Sequence, residues 1–223
     1  MSIISDTALI VPAAGGSTRF GSDKLTFPLE GLPLFLHSVR TVAPLLSPGH
    51  IILAVAPQRI EEIRRIAGEY LPEVAITFVP GGSTRTESVF HALEKAAALP
   101  GVKYAAVHDA ARPFLTAELF TKCVEMCRIH GGALLCRKIS DTVKRIGPDG
   151  CVAETIDRET LRAAETPQIF PVSELLAATA KALESGRTFT DDAQVMECYT
   201  ALRPYLVEHT FDNRKITFLS DLK

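Results

Sequence analysis

No basic excess marks this sequence. Its 24 Lys and Arg stand against 26 Asp and Glu, a formal net charge of −2. A general nucleic-acid binder carries a basic surplus or a dense basic stripe, so nucleic acid is not an expected partner. Any anionic ligand must be held by a local cluster of cations. Cysteine is scarce and unpatterned: five residues, at positions 123, 127, 136, 151 and 198. Cys123 and Cys127 are four apart in a helical stretch, and no second pair completes a zinc site. All five read as reduced, mostly buried thiols. No apolar run reaches the ~20 residues that a membrane span needs. The N-terminus has no charged segment followed by an apolar stretch and a cleavage site. The expected compartment is the cytoplasm, without a membrane partner. Nor does any low-complexity linker divide the chain, so one domain over residues 1–223 is expected.

What is present is an ordinary globular balance, 47% apolar and 22% charged, enough to bury a core. In the first half short apolar runs at 8–11, 51–55, 74–79 and 104–107 alternate with amphipathic stretches at 33–46, 59–70 and 85–98. Continuous apolar strands alternating with helices imply an α/β fold, a parallel sheet covered on both faces. A helix from Thr116 to about His130 is closed by Gly131-Gly132. The pattern then changes. Residues 133–145 and 151–156 read as two strands joined by Gly147-Pro148-Asp149-Gly150, a hairpin signal. This hairpin is more polar than the earlier strands and is expected to project as an arm, at about 137–157. Helices near 172–184 and 191–199 follow, then a strand near 205–211.

Two glycine loops and one charged strand tip could carry chemistry. Pro12-Ala13-Ala14-Gly15-Gly16-Ser17-Thr18-Arg19-Phe20-Gly21 leaves a buried strand at its C-terminal end, where ligands sit in open α/β sheets. Small residues let backbone N–H groups approach phosphate oxygens; a bare strand–helix turn would read the same. The spacing excludes the dinucleotide GxGxxG fingerprint and also a P-loop, because Ser22-Asp23 follow Gly21 where Lys-Ser/Thr is required. Lys24 lies five residues after Arg19, so both charges can reach one polyphosphate. The GGSTR string recurs at 81–85, where Thr84 and Glu87 form a capping-box signature and Ser88 offers a hydroxyl one turn on. His108-Asp109-Ala110-Ala111-Arg112-Pro113 closes the fourth strand. Asp109 is placed to meet Mg²⁺ or a ribose hydroxyl, and Arg112 to grip a phosphate through two N–H groups, although a structural Asp–Arg pair fits as well. Asp141-Thr142-Val143-Lys144 and Asp157-Arg158, on the hairpin, read alone as a solvated charged face. Thr190 reads as a helix N-cap with acids in the first turn.

The ordered series PAAGGSTR, GGSTRTESV, VHDAARP, SDTVK, DRETL, ETPQIF, TDDA and DNRKIT, from residue 8 to the C-terminus, resembles the 2-C-methyl-D-erythritol 4-phosphate cytidylyltransferase family. The resemblance implies a Rossmann-like, mostly parallel twisted sheet with helices on both faces. It implies a homodimer in which a β-arm reaches the other subunit's site. The implied reaction joins CTP and methylerythritol phosphate with Mg²⁺ or another divalent cation, giving 4-diphosphocytidyl-2-C-methyl-D-erythritol and pyrophosphate for isoprenoid precursor synthesis. Arg19 and Lys24 would stabilise the transition state at the α-phosphate. Pro12, Ala13, Ala14, Gly82, Ser83 and Ser88 would surround the cytidine, with Gly15 and Gly16 along the triphosphate. Asp109 would lie near the ribose, the acceptor and a metal held mainly by the triphosphate. Arg112, Thr142, Arg158 and Thr166 would hold the methylerythritol phosphate, Thr142 and Arg158 from the partner subunit, and Lys215 would bridge the two reacting phosphates.

Three departures stand out. Asp23-Lys24-Leu25 replaces the family's Pro-Lys-Gln after a first loop about two residues shorter. Arg214 replaces the Ile of Asn-Ile-Lys. The sequence ends at Lys223 without the family's usual C-terminal helix. Two other readings remain: a ribitol- or glycerol-phosphate-type cytidylyltransferase on the same fold, and a non-catalytic nucleotide-binding regulator. The first has a different arm pattern, and the second has no use for cations at a reacting phosphorus.

Overall fold

The computed structural model describes residues 3–15, 20 and 23–222. Seven strands form one sheet in the order β11-β7-β10-β6-β1-β4-β5. They are β1 (Thr7–Ala13), β4 (Ile51–Val55), β5 (Ile76–Pro80), β6 (Tyr104–Val107), β7 (Ala133–Lys138), β10 (Arg162–Pro171) and β11 (Tyr205–Glu208). β1 runs parallel to β4 and β6, β4 to β5, and β11 to β7; β10 alone is antiparallel to its neighbours. Two short pairs stand outside this sheet, β2 (Pro28–Leu29) with β3 (Leu32–Pro33), and β8 (Val143–Ile146) with β9 (Val152–Ile156).

Residue alternation along each strand builds two cores. Leu9, Val11, Leu53 and Val55 pack on one face against α1 (Leu36–Val42), α2 (Ile60–Tyr70) and α4 (Ala117–His130). Ala8, Ile10, Ile52 and Ala54 pack on the other against α3 (Arg85–Ala97), α5 (Val172–Glu184) and α6 (Asp192–Tyr199). Both faces of β1 and β4 are therefore dry, as their continuous apolar runs require. Each fully buried Leu, Ile or Phe contributes roughly 1.5–3 kcal/mol. Helix ends follow the capping rules: the Thr116 hydroxyl accepts from Leu119 N–H at 3.2 Å, and Gly131 closes α4 with φ +82°.

The chain moves outward from β1 through β4 to β5, then returns to place β6 on the opposite side of β1. Strand order thus reverses beside β1, and the loops leaving β1, β5 and β6 open onto one crevice, the ligand-binding position of such sheets.

Four expectations need correction. The strand β10, Arg162–Pro171, was not anticipated: its stretch holds two prolines and few apolar residues, and its pairing with β7 is irregular between Ala164 and Gln168. The run 133–145 is not one strand; its buried start belongs to the large sheet and Val143–Ile146 pairs only with β9. The stretch 33–46 shortens because Pro33 ends β3 and the turn at Pro44 is 3-10 helix. The N-cap of α6 is Asp191, which accepts from Gln194 N–H at 2.9 Å; Thr190 instead donates backbone and hydroxyl to the Gln194 side chain. Among the described residues no helix is long and apolar enough to cross a membrane.

Candidate active site

A cavity of about 340 Å³ lies at the crevice. Pro12, Ala13, Ala14 and Gly15 form one wall, and Gly82, Ser83, Thr84 and Ser88 another. The loops touch closely because Gly81 lacks a side chain: a Cβ there would stand 2.4 Å from the Ala14 Cβ. Gly81 N–H donates to the Val55 carbonyl at 2.7 Å, which anchors this loop to β4. Thr84 caps α3, accepting from Glu87 N–H at 3.1 Å, while the Glu87 carboxylate accepts from Ser83 N–H at 2.6 Å and the Ser83 hydroxyl at 2.7 Å. Ser88 accepts from Gly82 N–H at 3.1 Å. Local capping thus shapes the wall that the sequence offered as a nucleotide cradle.

Asp109 is the carboxylate at the floor. Lys215 Nζ lies 2.7 Å from its Oδ2, and Arg85 Nε lies 3.3 Å from its Oδ1. Burial opposes ionisation of Asp109, but the charges of Arg85, Lys215 and Arg112 override it and hold the carboxyl far below the usual carboxylate range. Lys215 arrives from a loop beyond β11. That loop is docked by Ile216 N–H on the Ala111 carbonyl at 2.8 Å and by Arg112 Nη1 on the Asn213 carbonyl at 2.7 Å. Lys24 Nζ donates to the Ile216 carbonyl at 3.2 Å. Lys24 and Lys215, 191 positions apart in sequence by their numbers, therefore line one cavity.

Beneath the floor runs a buried relay. The Thr166 hydroxyl accepts from Asp109 N–H at 3.0 Å and pairs with His108 Nδ1 at 3.1 Å; His108 Nε2 meets the Arg112 carbonyl at 3.0 Å. A carbonyl only accepts, so Nε2 carries the proton and Nδ1 accepts from Thr166. Burial lowers the His108 pKa to about 4, and the ring is neutral.

Of the residues singled out from sequence, Pro12, Ala13, Ala14, Gly15, Lys24, Gly82, Ser83, Ser88, Asp109 and Lys215 line this cavity. Gly16 and Arg19 lie outside the described residues. Arg112 lies beside the floor, between Asp109 and Glu165, and Thr166 lies under it. Thr142 and Arg158 are exposed on or next to the hairpin and do not line their own chain's cavity. Among the polar lining residues, sequence reasoning gave no ligand role to Thr84, Arg85 and Thr217. For Arg85 a signal existed, the second GGSTR string, but the capping signature absorbed it.

Over residues 7–223 the sequence matches the profile of the family described as IspD, 2-C-methyl-D-erythritol 4-phosphate cytidylyltransferase. The chain belongs to this family. A cytidylyltransferase of that name from Rhodopirellula baltica is 36% identical over 234 residues, covering 100% of this chain and 94% of the relative. One from Bacillus mycoides is 33% identical over 216 residues, covering 96% and 93%. The crystal structure of the 4-diphosphocytidyl-2C-methyl-D-erythritol synthase of Anaerococcus prevotii superposes with a TM-score of 0.82 at 29% identity, covering 98% of this chain and 95% of that one. The mostly parallel sheet flanked by helices is thus the fold of a family member.

Proposed function

We propose that this protein transfers CMP from CTP to 2-C-methyl-D-erythritol 4-phosphate, releasing pyrophosphate. The observation that carries the reading is the convergence of Lys24, Lys215 and Asp109 on one cavity between two glycine-lined loops. An acceptor phosphate oxygen, anionic at neutral pH, attacks the α-phosphorus in line as the bond to pyrophosphate breaks. No protein nucleophile is required. The obstacles are repulsion between two anions and charge growing on the equatorial oxygens, and fixed cations answer both. Lys24 and Lys215 provide such cations, and Arg19, by family resemblance, a third. Gly15 has open space where a Cβ would stand, so its loop can approach a nucleotide closely, whereas the missing Cβ of Gly82 makes room for the Glu87 side chain that shapes the opposite wall.

A divalent ion fits this site only with help. Among the described residues no group of three or more His, Cys, Asp and Glu converges, and Asp109 is the carboxylate that lines the cavity. Mg²⁺ would take most of its ligands from the triphosphate and one from Asp109, and would neutralise phosphate charge.

The hairpin supports a homodimer. A two-stranded hairpin is marginal alone, and Ile146 and Val152 at its turn are 73% and 63% exposed. In a dimer it would carry Thr142 and Arg158 to the acceptor side of the second copy's cavity. The cysteines are free, which suits a reducing cytoplasm.

The test is pyrophosphate release from CTP and Mg²⁺ with methylerythritol phosphate, ribitol phosphate or glycerol phosphate supplied separately. Turnover with the first acceptor alone is expected, and Lys24→Ala should lower it by about 10²–10³-fold with the fold intact. Preference for another acceptor, or CTP binding without turnover, would refute the assignment.

A further inference from the structure

Arg85 and Asp192 form a charged pair that the reaction as described does not use. Arg85 is the first residue of α3 and lines the cavity. Its guanidinium spans two carboxylates: Nε faces Asp109 Oδ1 at 3.3 Å, and Nη2 faces Asp192 Oδ2 at 2.8 Å. Asp192 opens α6, and its side chain is 4% exposed. A buried carboxylate costs several kcal/mol unless paired, and Asp192 is paired with Arg85. Asp192 thus fixes the fork of Arg85 in the orientation that meets Asp109.

Asp109 needs that support because its other close cation has work elsewhere. Lys215 Nζ pairs with Oδ2 of Asp109. To serve the reacting phosphates it must share or leave that oxygen. We propose that Arg85, locked by Asp192, is a positioning residue that holds the Asp109 carboxylate in place while Lys215 engages the phosphates. Arg85 answers for Oδ1, which leaves Oδ2 for Lys215 or a metal ion. The inference rests on the proposed transfer reaction for its catalytic consequence, but not for the placement of the Asp109 carboxylate. The charged groups around Asp109 are Arg85 from α3, Arg112 on the same loop and Lys215 from beyond β11. Behind these stand Asp192 on α6, Glu165 on β10 and neutral His108.

Two readouts test it on the full-length protein, with Arg85→Gln and Arg85→Lys compared. Arg85 is a partly exposed residue at a helix start, so the fold should survive; if the Gln variant fails to fold, the Lys variant carries both readouts. In crystal structures of the variants the Asp109 carboxylate should turn away from its wild-type position in Arg85→Gln. Arg85→Lys should fall between, since an ammonium cannot span both carboxylates. In turnover assays kcat should fall about 10- to 100-fold, as for loss of an outer partner of a ligating group, with the KM for CTP changed less than about 3-fold. An Asp109 carboxylate left in its wild-type position in Arg85→Gln overturns the inference even in a protein that does not transfer CMP. A raised KM at unchanged kcat overturns it too, because Arg85 would then be a nucleotide ligand.

Discussion

Thr166→Val separates two uses of one hydroxyl. Family resemblance assigns Thr166 to the acceptor, whereas the structure buries it at 4% exposure beneath Asp109. Its oxygen there accepts from Asp109 N–H and donates to His108 Nδ1, at 3.0 and 3.1 Å. Valine keeps the shape and removes both bonds. Two buried polar groups, an amide and a ring nitrogen, are left without partners. Each such orphan costs about 1–3 kcal/mol, so the pair should cost about 2–6 kcal/mol, a large part of the ~5–15 kcal/mol that holds a domain together. At about 2–4 °C per kcal/mol for a chain of this size, Tm should drop by roughly 10 °C. Thr166→Ser keeps the hydroxyl and loses one methyl, roughly 1 kcal/mol.

Urea unfolding followed by circular dichroism measures the first quantity, and steady-state turnover the second. If the hydroxyl is a structural relay, Thr166→Val loses stability and kcat together, because the Asp109 backbone is no longer pinned, while Thr166→Ser retains kcat and loses only the small methyl contribution to stability. An unchanged unfolding midpoint in Thr166→Val, accompanied by a raised KM for the acceptor alone, would refute the relay and return Thr166 to the substrate.

Three shorter tests follow from other contacts. Asp23, in the place of the family's proline, takes a two-pronged pair from Arg59 at 3.1 and 2.6 Å next to Lys24; Asp23→Ala and Arg59→Ala should each lower kcat by about 2- to 5-fold, a size suited to a partly exposed pair, and the double variant no further, whereas additive losses would show that the pair does not position Lys24. Gly81→Ala forces the Ala14 wall to move, at roughly 1–3 kcal/mol for overpacking, so the KM for CTP should rise about tenfold; an unchanged KM would mean that this wall does not face the nucleotide. His108 has its pKa lowered by burial to about 4. The unfolded chain therefore binds more protons between the unfolded value of about 6.5 and pH 4, and stability falls as pH drops through that window; an NMR titration should show the His108 ring unchanged from pH 7.5 to about 5, and titration near 6.5 would contradict the buried, neutral ring.

Legibility in the sequence tracked periodicity and small residues. The strands at 51–55 and 104–107 and the helix at 172–184 were readable to the residue because their apolar pattern stops sharply at flanking polar, Pro or Gly residues. β10 was not, since Pro167 and Pro171 interrupt a polar stretch whose strand character comes from its two neighbours. In the site, Gly15, Gly82, Asp109 and Lys24 were readable from their position after strand tips. Lys215 was ambiguous from its own neighbourhood, because its partner Asp109 lies 106 positions away. Arg85 was hidden by its capping-box neighbours, since the sequence could not show Asp192 folding back onto it.

The overall charge of −2 makes the local arrangement instructive. Lys24, Arg85 and Lys215 crowd one cavity, and three cations without a counterion would repel one another and destabilise the empty protein. Asp109 relieves that repulsion by pairing with Lys215 and Arg85, and Asp192 takes the other arm of Arg85. An arriving triphosphate brings more negative charge than the single Asp109 carboxylate. It can draw Lys215 away without leaving Asp109 uncompensated, because Arg85 remains. Asp109 can thus balance Lys215 and still yield that lysine to the phosphates. Asp192 acts from behind Arg85 and does not line the cavity, so it steadies the guanidinium without adding negative charge to the wall.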